Sequence, residues 1–381
     1  MNPARLFPIL TVLMAGYGSV YTLLAEIRDQ FGFDETAVGA IGAAGFAAGF
    51  AAQVSLSRFA DRGHTRAMLR AGAASALLGV VGMGLADALW EFIASRILLG
   101  LGTGCFAPAV RRLVVASEPG RAGERLGWLA SFEIGGFLCG PVLAAALSQL
   151  WGMRSVFALL ALALLLLSPA LIRLEAIPAT GGVARQPLRA LLRRRGVRAT
   201  LLAGLAFYTT VGVFEALWAI LLTDRGAGPL FIGATLSLFS VPMLFLPPIA
   251  GRLAQRRGPM RVAAVGIGCA IPCMLAYGFV TPLWALAVLV ALHSVADSYT
   301  MPANQLAIAR ASGPELLAAG QGLLGALGQA TAAATALAGA WVYQVAGPGQ
   351  LFGGSAILML LLLGGAVRLG SELLHPEREG A

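Results

Sequence analysis

The sequence predicts an all-α integral membrane protein, with twelve transmembrane helices arranged as two pseudo-symmetric six-helix bundles. Three observations carry that prediction. Only 12% of the 381 residues are charged and 58% are hydrophobic, for a mean hydropathy of +0.81, whereas a soluble chain carries about 25% charge. Apolar runs of roughly 20 residues, long enough to cross a ~30 Å hydrocarbon core as helix, recur from end to end. One short polar pattern also occurs twice, at the same place in each half. The bilayer core gives the backbone no water to bond, so spanning segments are helices or a closed barrel. The runs are rich in Ala, Leu and Gly without period-2 alternation, which excludes the barrel.

Spans are predicted near 7–28, 36–57, 67–87, 90–111, 125–149, 153–172, 199–222, 230–251, 261–279, 282–308, 315–345 and 350–370. The breaks hold turn residues: Asp34-Glu35, Glu118-Pro119-Gly120, Gly226-Ala227-Gly228-Pro229 and Ser312-Gly313-Pro314. The stretch 315–345 exceeds one crossing and leaves room for a re-entering or interfacial end. The first run, after Arg5, imitates a signal peptide but lacks an A-x-A site and leads into further spans, so it reads as the first helix.

Every basic residue is arginine, and placement orients the chain. The loops after spans 2, 4, 6, 8 and 10 hold twenty arginines, whereas the opposite loops hold Arg28, Arg154 and Arg225. Positive charge stays on the cytoplasmic side. Both termini and the even-numbered loops are therefore expected there, in a multi-pass protein of the cell (inner) membrane. The formal charge of +9 is then topology and lipid-headgroup contact rather than nucleic-acid binding.

The longest polar stretch, 173–198, divides an N-terminal bundle (1–172) from a C-terminal one (199–381). Within it Leu188, Leu191 and Leu192 share one face of a short helix among arginines, the pattern of a surface-lying linker. Cys105, Cys139, Cys269 and Cys273 all fall in apolar runs without companion His or acid ligands, and read as small hydrophobes. No metal or other cofactor is expected.

The repeated pattern lies in two of the loops. "SRFADRGHTR" follows span 2 and "GRLAQRRGPMR" follows span 8. Ser57 stands opposite Gly251, Phe59-Ala60 opposite Leu253-Ala254, and Asp61-Arg62 opposite Gln255-Arg256. Duplicated six-helix units give this pattern. The arrangement resembles the major facilitator superfamily over the whole chain. That family's loop signature is matched at Asp61, Arg62 and Arg66, with Ser57 in place of its first glycine and Gly63 one place early. In span 4, "RILLGLGTG" matches the family's R-x-x-x-G-x-x-x-G-like pattern at Arg96, Gly100 and Gly104. In span 5, "GFLCGP" resembles at Gly136, Gly140 and Pro141 a signature often linked to drug/proton antiporters, with Ala144-Ala145 where a double glycine often follows. The resemblance implies a gating loop at Asp61, Arg62 and Arg66, in which Asp61 docks near the start of span 11 when the cytoplasmic side is closed. There "ASGPEL" reads as a helix N-terminus. Gln255 replaces the acid in the second copy, so the contact is expected on one side only.

A charge near the bilayer centre costs several kcal/mol, so each intramembrane ion is a functional candidate. Arg96 keeps its proton whereas Glu133 can take one up, so a pair between them either couples protonation to substrate binding or fastens two helices. His293 and Asp297 share a helix face at i, i+4 within "HSVADSYTMPANQ", as a proton relay or a hydrogen-bonded structural pair. The candidates for proton coupling are thus Glu133, Asp297, His293 and Arg96. Glu215 and Trp218 sit with Tyr208 and Phe214 in "YTTVGVFEALW", where aromatics beside an acid suit a cationic amphiphile or simple packing. Glu26, near the outer mouth, Tyr17, Tyr21, Tyr299 and Asn304 complete the cavity candidates. Spans 2, 5 and 11 are dense in small residues, which suits close helix packing.

These features point to a secondary active transporter working by alternating access, with proton-coupled efflux of amphiphilic compounds or metabolites as the leading reading. A proton-coupled importer or facilitator of sugars or metabolites stays open, although the in-span amides are few: Gln53, Asn304, Gln305, Gln321 and Gln329. An integral membrane enzyme is more remote, since His64 beside Asp61 is the nearest thing to a catalytic pair. The chain has no lysine and no G-x-x-x-x-G-K-[ST], against a nucleotide-driven pump. Its expected partners are a small-molecule substrate, protons and membrane lipids, and it is expected to work as a monomer without nucleic acid.

Overall fold

Local sequence sets where each helix begins and ends in the computed structural model, which describes residues 3–172, 174 and 188–370. Helix α1 (Phe7–Phe31) stops at Gly32, whose φ of +68° is left-handed. Asp34 then caps α2 (Glu35–Phe59) by accepting the Ala37 N–H at 2.7 Å. A wide turn at Ala60–His64, with Gly63 at φ +88°, leads into α3 (Thr65–Leu85). Glu91 closes the start of α4 (Leu89–Ser117), accepting the Asp87 and Ala88 N–H groups at 2.8 and 3.1 Å. Helix α5 (Ala122–Trp151) turns at Gly152 into α6 (Met153–Leu167).

The later helices follow the same punctuation. They are α7 (Arg195–Asp224), α8, α9 (Pro259–Tyr277) and α10 (Leu283–Ser312). Helix α8 bends by 49° between Pro229–Phe245 and Pro247–Arg257, where proline removes a backbone donor. The stretch Leu317–Leu369 breaks at Gly347 (φ +85°) before Pro348, giving α11 (317–346) and α12 (348–369).

Among the described residues nine helical stretches are long and apolar enough to cross a membrane, and the bent α8 pair makes ten. Two of the nine, Gly39–Leu85 and Leu317–Leu369, run for 47 and 53 residues. At 1.5 Å per residue each covers about 70–80 Å, twice the ~30 Å hydrocarbon core. Each also contains a left-handed glycine, Gly63 or Gly347, so each is two crossings, and the total is the twelve that the sequence predicts. Within the linker the described helix is Leu188–Arg193, in which Leu191 is fully buried and Leu192 is 41% exposed. The side chain of Leu188, with residues 173 and 175–187, lies outside the described residues.

Contacts sort the helices into two units, each with its own core. One comprises Met1–Glu118, Phe132–Arg185 and Pro314–Ala326, the other Pro119–Ser131, Gln186–Gly313 and Leu327–Ala381. In the first unit the motif glycines are points of close approach. Gly100 and Gly104 of α4 face Gly45 and Gly49 of α2, and a Cβ on Gly104 would stand 2.8 Å from the Ala52 Cβ. Gly136 and Gly140 of α5 lie against the backbone of Thr11 and Ala15 in α1, where added Cβ atoms would come within 2.9 and 2.7 Å of the Cα atoms. The Pro141 ring packs on Gly18 beside them. Hydrogen bonds tie the same seam: Thr11 Oγ1 donates to Phe132 O at 3.1 Å and Ser19 Oγ to Gly140 O at 3.0 Å. The second unit packs around Trp218, Tyr277 and Phe352, all fully buried.

Gly104→Leu is expected to destabilise the protein by about 1–3 kcal/mol or more through overpacking, read as a lowered unfolding midpoint in detergent. Gly354→Leu, at a position with open space within 4 Å, should leave the midpoint unchanged.

Candidate functional site

The Ala60–His64 turn buries the Asp61 carboxylate to 6% exposure. Oδ1 accepts the Ala318 N–H and Oδ2 the Ala319 N–H, both at 2.8 Å. These are first-turn donors of α11, which have no partner within their own helix. Arg112, from the end of α4, donates to Oδ1 through Nε at 3.2 Å and to Thr65 Oγ1 through Nη1 at 2.9 Å. Thr65 in turn donates to Ala60 O at 2.9 Å. An anion at a helix N-terminus is stabilised by about 0.3–2 kcal/mol, with more from a buried charge-assisted partner.

The arginine row around Asp61 divides its labour. The guanidinium groups of Arg58 and Arg62 lie 5.8 and 5.6 Å from the Phe59 ring. Arg66 donates to Ile172 O at 3.5 Å, and Arg70 donates to Leu171 O and Ile172 O at 3.0 and 2.7 Å. Arg66 and Arg70 thus satisfy the last carbonyls of the Pro169–Ile172 turn that follows α6.

The second copy of the loop corrects an expectation. Gln255 Oε1 accepts the Gly123 N–H at 2.8 Å, and its Nε2 donates to Pro119 O at 3.0 Å. Gly123 lies in the first turn of α5. The contact is therefore not confined to the acidic copy, because an amide oxygen accepts an N–H as a carboxylate does, without the charge.

Glu133 does not pair with Arg96. Arg111 Nη2 reaches Glu133 Oε1 at 2.6 Å in a largely buried ion pair. Arg96, fully buried, instead lies against two rings, its Cζ 4.1 Å from the Tyr17 centroid and 4.9 Å from that of Tyr21. Such contacts are worth about 0.5–2 kcal/mol each. Among the described residues no hydrogen-bond acceptor meets its Nε, Nη1 or Nη2. The physical reason is reach. Arg111 lies on α4 as Arg96 does, about four turns further along it and beside the acid of α5, whereas Arg96 packs against Tyr17 and Tyr21 of α1 and Gly45 of α2.

In the second unit His293 and Asp297 share one face of α10, as their spacing requires. The Tyr277 hydroxyl and His293 Nδ1 are 3.0 Å apart, and His293 Nε2 stands 3.6 Å from Asp297 Oδ2. Asp297 Oδ1 has no hydrogen-bond partner among the described residues. Aromatic rings surround the pair: Phe239 lies 6.1 Å from His293, and Phe214 stacks on Phe239 and Trp218 at 4.5 and 4.9 Å. Trp218, expected to line a cavity, is packed to 1% exposure against Tyr277 and donates to Thr235 Oγ1 at 3.0 Å. The side chain of Glu215 lies outside the described residues.

The remaining candidates scatter. Glu26 and Tyr21 are half-buried, Tyr17 is buried, and Asn304 is buried with its Oδ1 unmatched. Tyr299 lines a cavity of about 910 Å³ along α9 and α10, with Cys269, Leu292 and Val295, and with Arg257 and Arg261 at one end. Sequence reasoning missed Arg111, Arg112 and Tyr277. Both arginines fit the cytoplasmic arginine pattern, although "PAVRRLVV" embeds them between apolar residues. Nothing in the sequence marks Tyr277.

Twelve crossings, a duplicated capping loop and buried ions inside both units are the parts of a membrane transporter fold. The family model of the Major Facilitator Superfamily matches residues 6–216 and 199–379, and the chain belongs to that superfamily. Its relatives include the Multidrug resistance protein MdtG of Dickeya zeae (strain Ech586), 29% identical over 262 residues, which cover 65% of this chain and 63% of that protein. The MdtG of Enterobacter lignolyticus (strain SCF1) is 28% identical over 257 residues, covering 65% and 61%. The match thus spans less than two thirds of these relatives' length. Among solved structures, the human organic anion transporter MFSD10 (TETRAN) superposes with a TM-score of 0.73 at 19% identity, over 96% of this chain and 100% of that one. The E. coli fucose:proton symporter FucP does so with a TM-score of 0.78 at 15% identity, over 96% and 98%. At such identities the likeness concerns the fold.

A double-mutant cycle of Arg111→Met with Glu133→Gln should give an interaction of about 0.5–3 kcal/mol in unfolding free energy. The cycle of Arg96→Met with Glu133→Gln should give none within error.

Proposed function

We propose that this chain is a secondary transporter that exports amphiphilic small molecules by alternating access, driven by inward proton movement. Two six-span bundles, 1–172 and 199–381, would rock about a linker at 173–198, with both termini cytoplasmic as the arginine distribution favours. The multidrug resistance relatives support efflux as the direction. The one observation that carries proton coupling is Asp297, buried among aromatic rings with an oxygen that no described residue bonds. An unpaired ion in such surroundings costs several kcal/mol, and a proton on Asp297 removes that cost. Protonation therefore biases two conformations by differential affinity, which is what linkage requires of a coupled ion.

Glu133 suits this work less well, because Arg111 already supplies its counter-charge. His293, bridging Tyr277 and Asp297, gives the proton a relay. The Asp61 clasp is the gate on this reading: it holds the start of α11 to the end of α2 and lets go when the cytoplasmic mouth opens. Lipids surround a functional monomer.

The test is purified protein in liposomes with an imposed pH gradient and a panel of amphiphilic cations, amphiphilic anions and a neutral hexose. Gradient-driven export of at least one amphiphile is expected. Asp297→Asn should reduce that flux at least tenfold, whereas Glu133→Gln should keep most of it. Uptake down the proton gradient would support the importer instead, and flux indifferent to pH would remove proton coupling.

A further inference from the structure

Arg96 is the ion that the proposed cycle leaves without a task. Its side chain is fully buried, and none of its three nitrogens meets an acceptor among the described residues. Two buried acids of the first unit are engaged elsewhere, about four turns further along α4: Glu133 with Arg111 at 2.6 Å and Asp61 with Arg112 at 3.2 Å. A guanidinium carries five N–H donors in a planar fork, a shape that matches a carboxylate, sulfonate or phosphonate bidentately. Buried ions are retained where something pairs them, and removing the partner leaves an uncompensated charge.

The surroundings are shaped for more than a bare ion. The guanidinium lies under the Tyr17 and Tyr21 rings at 4.1 and 4.9 Å. Phe46 joins them, edge-on to Tyr17 at 5.8 Å and tilted against Tyr21 at 5.7 Å. The three rings lead outwards, from buried Tyr17 through half-buried Tyr21 to Phe46 at 42% exposure. Gly45 leaves the space that the Arg96 side chain itself occupies, since a Cβ there would stand 2.9 Å from the Arg96 Cζ. An apolar approach that ends on an unmatched cation describes an amphiphile with an anionic head.

We infer that Arg96, Tyr17, Tyr21 and Phe46 form an anion subsite that binds the acidic group and the apolar body of an anionic amphiphile. This rests on the transport reading above for its role in export, and it names the class of compound carried. The acid docks on the guanidinium fork, and the rings hold the hydrophobic part. The aromatic-plus-acid features that favoured cationic compounds in the sequence are not assembled around this site.

The experiment uses the full chain in phosphatidylcholine nanodiscs and two probes of matched shape, 1-naphthoate and 1-naphthylmethylammonium, followed by titration calorimetry and by the thermal unfolding midpoint. Naphthoate should bind at least tenfold more tightly than the ammonium probe and should raise the midpoint. Arg96→Met should weaken naphthoate at least tenfold while its ligand-free midpoint is no lower than the parent's, because it removes an unpaired buried charge. A merely structural arginine would give the opposite, a lowered midpoint with naphthoate affinity unchanged. Should Arg96→Met fail to fold, Arg96→Lys reads the same question: it keeps the charge, loses the fork and should weaken naphthoate several-fold. Equal or tighter binding of the ammonium probe, or unchanged naphthoate affinity in the Arg96 variants, overturns the subsite. Gradient-driven export of a cationic dye alongside such a result would leave the transport reading standing. Naphthoate binding that depends on Arg96, without gradient-driven movement of any probe, would instead remove the transport reading and keep the subsite.

Discussion

A single buried carboxylate organises one end of this fold. Asp61 takes two backbone N–H groups from the first turn of α11 and a third donor from Arg112, and little of it meets solvent. Such a group is stable only while all its donors are in place, since losing one leaves a desolvated charge behind. Much else follows from that requirement. The chain must turn sharply enough after α2 to point Asp61 inwards, which the left-handed Gly63 permits. Arg112 must end α4 beside the turn, and Thr65 and Ala60 hold Arg112 and the turn in register. The close glycine seam between α2 and α4 keeps those helix ends within reach.

The same rule, that an ion in an apolar interior needs a partner, sorts the other charges. Glu133 has Arg111, and this pair fastens α4 to α5. Among the described residues Asp297 faces His293 at 3.6 Å, a contact that becomes an ion pair when the imidazole carries a proton. Arg96 has aromatic faces, and among the described residues no hydrogen-bond acceptor. The described residues thus include two buried ion pairs that build structure, Asp61–Arg112 and Glu133–Arg111, and two buried ions, Asp297 and Arg96, with polar atoms that no described residue bonds. In the second copy of the loop, Gln255 makes the corresponding helix-end contact without charge. The two contacts differ in kind: one answers to the neutralisation of a carboxylate, the other does not.

The fold was legible because the bilayer permits few alternatives. Apolar runs of fixed length, glycine and proline at the breaks and the placement of arginine gave twelve crossings, including the division of the 53-residue stretch Leu317–Leu369 at Gly347. Asp61 was legible through its loop signature, and the break at 311–316 marked the approach to α11, whose Ala318 and Ala319 N–H groups are its partners. The i, i+4 spacing placed His293 and Asp297 together because both lie on one helix. Pairing across helices was not legible. Arg96 and Glu133 lie on neighbouring helices, but it is Arg111, about four turns further along α4, that stands at the level of the acid. Arg111 and Arg112 were hidden by their own explanation, since cytoplasmic arginines need no further reason. Trp218 likewise has the composition of a cavity wall and the packing of a core.

The central claim is that the Asp61 clasp biases the conformational balance. It is tested most directly by double electron–electron resonance between spin labels at exposed Arg58 and Glu315, in a background without the four native cysteines. With Asp61 intact, one short distance should dominate. Asp61→Asn keeps the side chain's size but removes the charge, and should transfer a substantial fraction of the population to a longer distance. An unchanged distance distribution in Asp61→Asn would contradict the account, because the helix end would then be held there by packing alone.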